Sequence, residues 1–382
     1  MRFVARRFDT GVAFCYEIGD GKIVAAEPCG AAAPPTNRCP WIAPGLIDIQ
    51  VNGYGGQEFC SGELTPEKVA GVVEAMGAFG VAQFLPTVTT EGFEVVRHAL
   101  ATIGRACEES PEVARRIPGI HLEGPYISRE DGARGAHPRE HCRPPDWDEF
   151  QRLQEAAGGR IRLLTLAAEY AESPAFIARA VASGVVIALG HTAANSTQIR
   201  AATDAGARLS THLGNGAHPV LPRHPNYIWA QLAEDRLMAS LIVDGHHLPP
   251  EVVKTFLRAK SPQRCILVSD LSGLAGLPPG RYRGNLCEVE ILPEGAIMVA
   301  GQRQILAGAG LPITAGIVNL VQFAGLDLAQ AIAAATRNPA HLLGLACGDL
   351  KPGDNASLML FDFPEFKVRA TLVDGQLVYG RV

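Results

Sequence analysis

No stretch of this chain stays apolar long enough to cross a bilayer, and none carries a run of basic residues. The first absence excludes a helical membrane span. The second removes the footing for nucleic-acid binding, as does a formal net charge of −5 over 382 residues. The cysteines (Cys15, Cys29, Cys39, Cys60, Cys107, Cys142, Cys265, Cys287 and Cys347) are odd in number, scattered and never spaced C-x-x-C. That pattern excludes a disulfide frame or a zinc knuckle and reads as reduced, mostly buried thiols. No internal repeat or low-complexity segment is present. The first twenty residues carry Arg2, Arg6, Arg7 and Asp9 without a continuous apolar core, so no signal peptide is expected and a cytoplasmic location is.

Hydrophobic residues make up 47% of the chain, enough for a large core, and the length suits one large domain with a smaller one. Both ends read as short β segments. FVARRF, VAFCYEI and KIVAAE precede a Gly/Pro-rich segment at 30–40, and the far end repeats that character in LMLFD and KVRATLVDGQLVYG, with Asp-Gly as a hairpin turn. The two ends are expected to pair into one small β domain.

Between them, short apolar runs alternate with stretches of helical spacing. The runs are 43–51, 81–88, 116–123, 161–169, 185–191, 207–213, 238–245 and 264–270; TPEKVAGVVEAMGAFG and SPAFIARAVASG are two of the helical stretches. Eight strands with intervening helices over roughly 250 residues have the size and rhythm of a TIM barrel. A doubly wound sheet is the rival, and no G-x-G-x-x-G follows an early strand to support it. The expected fold is therefore α/β, a (β/α)8 TIM barrel over 44–346 with a small β-sandwich domain formed by 1–43 and 347–382.

In such a barrel, chemistry sits at the C-terminal ends of the strands. GIHLE ends on Glu123, VVIALGH on His191, ARLSTH on His212 and RCILVSD on Asp270. A lone strand-end histidine is ordinarily a hydrogen-bonded core residue, and a lone aspartate there is ordinarily a helix cap. Four such residues at one level of separate strands make a metal site as good a reading as the ordinary one. Two imidazoles and a carboxylate suit zinc, iron(II), manganese or cobalt, with one position open for water. His121, two residues before Glu123, also points inward and reads as structural or supporting.

Further motifs extend the pattern. They are PGLIDIQVNGYGG (44–56), HLEGPYI (121–127) with GAHP (135–138), GHTAA (190–194), THLGN (211–215), IVDGHH (242–247), VSD (268–270), LAGAGLPITAGIVNLV (306–321) and NPAHLLGL (338–345). In this order they resemble the N-acetylglucosamine-6-phosphate deacetylase family of the amidohydrolase superfamily, through nearly the whole chain. The resemblance implies that Glu123, His191 and His212 bind the metal, and that Asp270 acts as general base and then acid. His247 would polarise the acyl carbonyl, and His137 would touch the sugar. Asn215, Gly216 and Arg223 would meet a phosphate, Arg223 in its own or a neighbouring site of a homodimer.

Many amidohydrolases hold a second metal with H-x-H on the first strand. Here Gln50 and Asn52 stand at those places, and amides are poor zinc ligands. One divalent metal per chain is expected, zinc ahead of iron(II), manganese or cobalt. The expected function is hydrolysis of the N-acetyl group of N-acetylglucosamine 6-phosphate or a close amino sugar. A deacylase of a non-phosphorylated amide and a catalytically inactive sugar-phosphate-binding barrel are the alternatives. The segment after His212 departs from the family's T-H-x-x-N-A-M, reading THLGNGA and then an aromatic-rich stretch. His218 and His224 in that stretch could assist an anion or face water.

Overall fold

The computed structural model describes residues 1–30, 39–284, 288–301 and 306–382. Cys287 and residues 31–38 of the Gly/Pro-rich segment lie outside them. Eight parallel strands follow one another in sequence order around a barrel: Leu46–Val51, Val81–Val88, Ile120–Glu123, Ile161–Leu166, Val186–Leu189, Leu209–Ser210, Met238–Ile242 and Cys265–Val268. The ring is drawn together where the first strand meets the chain beyond the eighth. There Asp270 N–H donates to the Gln50 carbonyl (3.0 Å) and Asn52 N–H to the Leu271 carbonyl (2.9 Å). Side chains of alternating strand residues plug the interior, among them Ile49, Leu85, Leu163, Ala188, Leu209, Ile242 and Ile266. The opposite faces of the strands pack on the surrounding helices in a much larger apolar cluster.

The helices obey their end signals. The helix Pro66–Gly77 begins on proline, and its N-cap Thr65 hydroxyl accepts from Lys68 N–H. In Ser196–Asp204 a full capping box joins Asn195 and Gln198.

The two ends of the chain pair as expected. Arg2–Arg7, Ala13–Gly19, Lys22–Pro28 and Trp41–Pro44 join Leu358–Asp362, Lys367–Val373 and Gln376–Gly380 in one seven-stranded sheet. Its seam is the antiparallel pairing of Trp41–Pro44 with Leu358–Asp362. Residues from both halves, including Ile18, Ile23, Ile42, Leu358 and Leu372, share a core separate from the barrel's. The Asp374–Gly375 turn has φ of +49° and +75°, the left-handed pair that a two-residue hairpin of this twist requires.

Two features depart from the sequence reading. Strands stop short of the residues expected to end them, at Leu189, Ser210 and Val268, because His191, His212 and Asp270 have φ of +49°, +26° and +53°. An L-residue in that region leaves the ladder at a cost of about 1–3 kcal/mol each, and such strain gathers at functional sites. The second departure is a three-stranded antiparallel sheet, Gly280–Arg283, Glu288–Ile291 and Ile297–Val299, inserted after the eighth strand. Its strands are three or four residues long, too short for their alternation to show in sequence.

Candidate metal centre and active site

The barrel's C-terminal mouth opens into a cavity of about 700 Å³. Glu123, His191 and His212 stand in its wall, 2%, 7% and 3% exposed, which is burial too deep for charged groups without partners. Glu123 Oε1 lies 3.1 Å from His191 Nε2 and 3.0 Å from His212 Nε2, and the two nitrogens are 3.2 Å apart.

The donor set fits a cation. His191 Nδ1 is 3.2 Å from the Ala133 carbonyl, which can only accept, so Nδ1 carries the hydrogen. The neutral ring then turns an Nε2 lone pair toward a carboxylate oxygen and a second imidazole nitrogen. Three electron-rich atoms converge, and they need a positive charge among them. A proton meets that need in part: burial alone would raise Glu123, yet hydrogen bonds and charge from His191 and His212 hold it well below the usual carboxylate range, and burial would lower His212, yet Glu123 raises it. The same three groups could hold a divalent metal ion with one face open to the cavity.

Around this group the first strand supplies amides. Gln50 Nε2 donates to Glu123 Oε2 (3.1 Å), and Asn52 Nδ2 donates to Asp270 Oδ1 (2.8 Å). Both amides thus turn their NH2 groups toward carboxylates and not their oxygens toward a second ion. Asp270 is raised above its ordinary value, first by burial, with His212 opposing and Glu123 adding to the shift. His121 is held behind Glu123 by Thr165 (2.8 Å) and Thr87 (3.4 Å), and burial brings it down to about 4, so it is a neutral structural ring.

His247 and His246 both line the cavity. His247 Nδ1 lies 2.8 Å from Asp244 Oδ2, whereas His246 Nε2 bonds the Glu294 carbonyl next to the inserted sheet (3.3 Å). Asp244 also accepts the backbone N–H groups of both histidines (2.9 Å each). Burial would raise its carboxyl, but His247 outweighs it and the group falls to about 2. His137 stacks edge-on to His191 with ring centres 4.3 Å apart, and burial lowers it to about 3. Asn215 and Gly216 line the same mouth. Gly216 (φ +55°) has to be glycine, because a Cβ there would lie 2.6 Å from the His191 ring. Arg223 does not reach the cavity. It is exposed and lines a separate outer groove with Arg200 and Trp229.

Two residues escaped the sequence reading. Asp244 is three before His247 in D-G-H-H, a spacing that could have suggested an orienting carboxylate. Glu169 follows the fourth strand and accepts from the Thr192 hydroxyl (2.5 Å) and from Ala193 N–H (3.1 Å), bracing the turn that carries His191. It closes the apolar run 161–169, three residues past the strand itself, and a lone carboxylate at such a place is too common to single out.

Comparison with known proteins agrees with this site. The amidohydrolase family model matches residues 41–378. The chain is 34% identical over 349 residues to N-acetylglucosamine-6-phosphate deacetylase of Bos taurus, covering 88% of this chain and 83% of that one. It is 32% identical over 363 residues to N-acetylgalactosamine-6-phosphate deacetylase of Escherichia coli O157:H7, covering 94% and 93%. The crystal structure of N-acetyl-D-glucosamine-6-phosphate deacetylase from Mycobacterium smegmatis superposes with a TM-score of 0.89 at 30% identity, covering 99% of this chain and all of that one. With the strand-end carboxylate and imidazoles in one buried cluster and these likenesses along its length, the chain belongs to the amidohydrolase family and, within it, to the N-acetylglucosamine-6-phosphate deacetylase family, as a divergent member.

Proposed function

We propose that this protein removes the acetyl group from an N-acetylated hexosamine 6-phosphate, N-acetylglucosamine 6-phosphate first, releasing acetate and the amino sugar. The observation that carries the reading is the buried Glu123–His191–His212 cluster with the Asp270 carboxylate beside it at one mouth. The relatives' shared chemistry supports it, and the galactosamine relative makes that epimer the second substrate to test.

Glu123, His191 and His212 would hold a single divalent metal, zinc before iron(II), manganese or cobalt. When bound, the metal supplies Lewis acidity for water and for the amide carbonyl. Asp270, its Oδ1 fixed by Asn52, takes a proton from the attacking water and delivers it to the departing nitrogen. An amine leaves readily only once protonated, so the same carboxyl serves both halves. His247, with Nδ1 held by Asp244, is left with Nε2 to polarise the acetyl oxygen. His137, Asn215 and Gly216 are read as sugar- and phosphate-facing. Arg223, outside its own cavity, would act only across a homodimer, and the protein would work in the cytoplasm.

The deciding experiment is an acetate-release assay of the purified, metal-loaded protein on N-acetylglucosamine and N-acetylgalactosamine, each with and without 6-phosphate. Turnover favouring a phosphorylated sugar is expected. Release from none of the four would refute the reading. Elemental analysis should find one metal per chain, and two full equivalents would remove the single-metal assignment.

A further inference from the structure

Glu123, His191 and His212 come from separate strands, so their spacing depends on what keeps those strands in step. Behind them lies a row of polar side chains, each 3% exposed or less: Thr87, His121, Thr165 and Thr211. They belong to the second, third and fourth strands and to the residue just past the sixth. Thr211 Oγ1 is 2.7 Å from Thr165 Oγ1, which in turn is 2.8 Å from His121 Nε2. His121 Nδ1 is 3.4 Å from Thr87 Oγ1.

The hydrogens in this row run one way. The Thr87 hydroxyl donates to the Leu85 carbonyl (3.3 Å), so toward His121 it can only accept. His121 therefore carries its hydrogen on Nδ1 and offers a lone pair at Nε2. Thr165 donates to that lone pair, which leaves its oxygen to accept from Thr211. Each donor has one acceptor, and turning any single bond around would leave a buried polar group unpaired.

The row also crosses a strand that gives it no side chain. A Cβ at Gly190, just past the fifth strand, would fall 2.7 Å from Thr211 Cβ and 2.8 Å from Thr165 Cγ2. Any larger residue would wedge the two hydroxyls apart. Each residue assigned to the metal is joined to this row by a short piece of backbone. His121 is two before Glu123, Gly190 directly precedes His191, and Thr211 directly precedes His212.

We propose that Thr211, Thr165, His121 and Thr87, meeting through the gap left by Gly190, are positioning residues of the metal centre. Their one-way row of hydrogen bonds fixes the spacing of Glu123, His191 and His212. The inference rests on the metal reading above and deepens it. Sliding one strand against the next breaks a buried bond in the row, so a single spacing of the three ligands is favoured.

Thr165→Val keeps nearly the shape of the side chain and removes its hydroxyl. Zinc affinity of the full-length protein, read by competition with a chromogenic chelator, should then fall about 10- to 100-fold. Thr165→Ser restores the hydroxyl and should recover most of that loss. Gly190→Ala should weaken zinc binding by a similar factor. Adding Thr211→Val to Thr165→Val should weaken it little further, because both break the same row. If Thr165→Val does not fold, Thr211→Val alone carries the comparison with the wild type. A folded variant that melts at a lower temperature yet binds zinc as the wild type does would show that the row serves stability alone, and the proposal fails. Losses that simply add in the double variant also overturn it, as does a serine variant no better than valine. A wild type that binds no divalent metal removes the metal reading itself, and this inference with it.

Discussion

Asp270 works as a single residue with two faces. One carboxylate oxygen accepts from Asn52, and the left-handed backbone at φ +53° turns the group out of the ladder and into the cavity. The amide of Asp270→Asn would have nearly the same shape, so the fold and the bound metal should persist. Without a group to carry the proton, kcat should fall about 10²- to 10⁴-fold. Single-turnover kinetics beside a metal assay will check both parts, and near-normal turnover would take Asp270 out of the mechanism. Glu123, His191, His212 and Asp270 were legible in the sequence because each ends an apolar run, and the runs recur at one level of the fold. What the pattern hides is the direction of hydrogen bonds, such as the turn of the Gln50 and Asn52 amides toward carboxylates.

Elements place these residues, and two braces between elements can be tested. Glu169, after the fourth strand, grips Thr192 and Ala193 just beyond the fifth and so holds the His191 turn in its strained conformation. Loss of a group that orients a ligand typically costs 10- to 100-fold in metal affinity. Glu169→Ala should therefore need on the order of 10-fold more free metal for half-occupancy, read by competition with a chelator, and an unchanged affinity would make the brace irrelevant. Lys260 ends the helix Pro250–Lys260, and its buried Nζ donates to the carbonyls of Glu234 and Leu237 at 2.6 and 2.8 Å. Burial lowers it from 10.5 to about 8. Between those values the unfolded chain keeps a proton that the native state has shed, so the contribution of this one group to stability should rise as pH climbs from about 8 to 10.5. Urea melts at pH 7.5 and 9.5 will show it as a difference between proteins: the wild type should gain stability relative to Lys260→Met over that interval, and an unchanged difference would refute it.

At the scale of the whole molecule, the terminal sheet is part of the body and not a pair of tails. Thr371 donates to the Gly77 carbonyl at the end of the first barrel helix (2.7 Å), and Leu358, Leu360, Ala370 and Leu372 share a core with Ile18 and Ile42. Removing residues 367–382 exposes that core. With native proteins stable by only about 5–15 kcal/mol, the truncated chain should fail to fold, read as protease sensitivity and loss of a cooperative melt. A fully resistant barrel would show that it stands alone. The barrel and this pairing of the ends were readable from alternation and strand count. The inserted sheet was not, since strands of three or four residues are too short for their alternation to show.

Both closures of the fold join early residues to late ones. Gln50 meets Asp270 to complete the ring, and Trp41–Pro44 waits for Leu358–Asp362 to complete the sheet. A ribosome makes the chain from one end, so the first fifty residues emerge long before their partners exist. Arg2–Arg7, Ala13–Gly19 and Lys22–Pro28 can pair with one another early, but the outer edge of Trp41–Pro44 must stay open through most of synthesis until Leu358–Asp362 emerges to cover it.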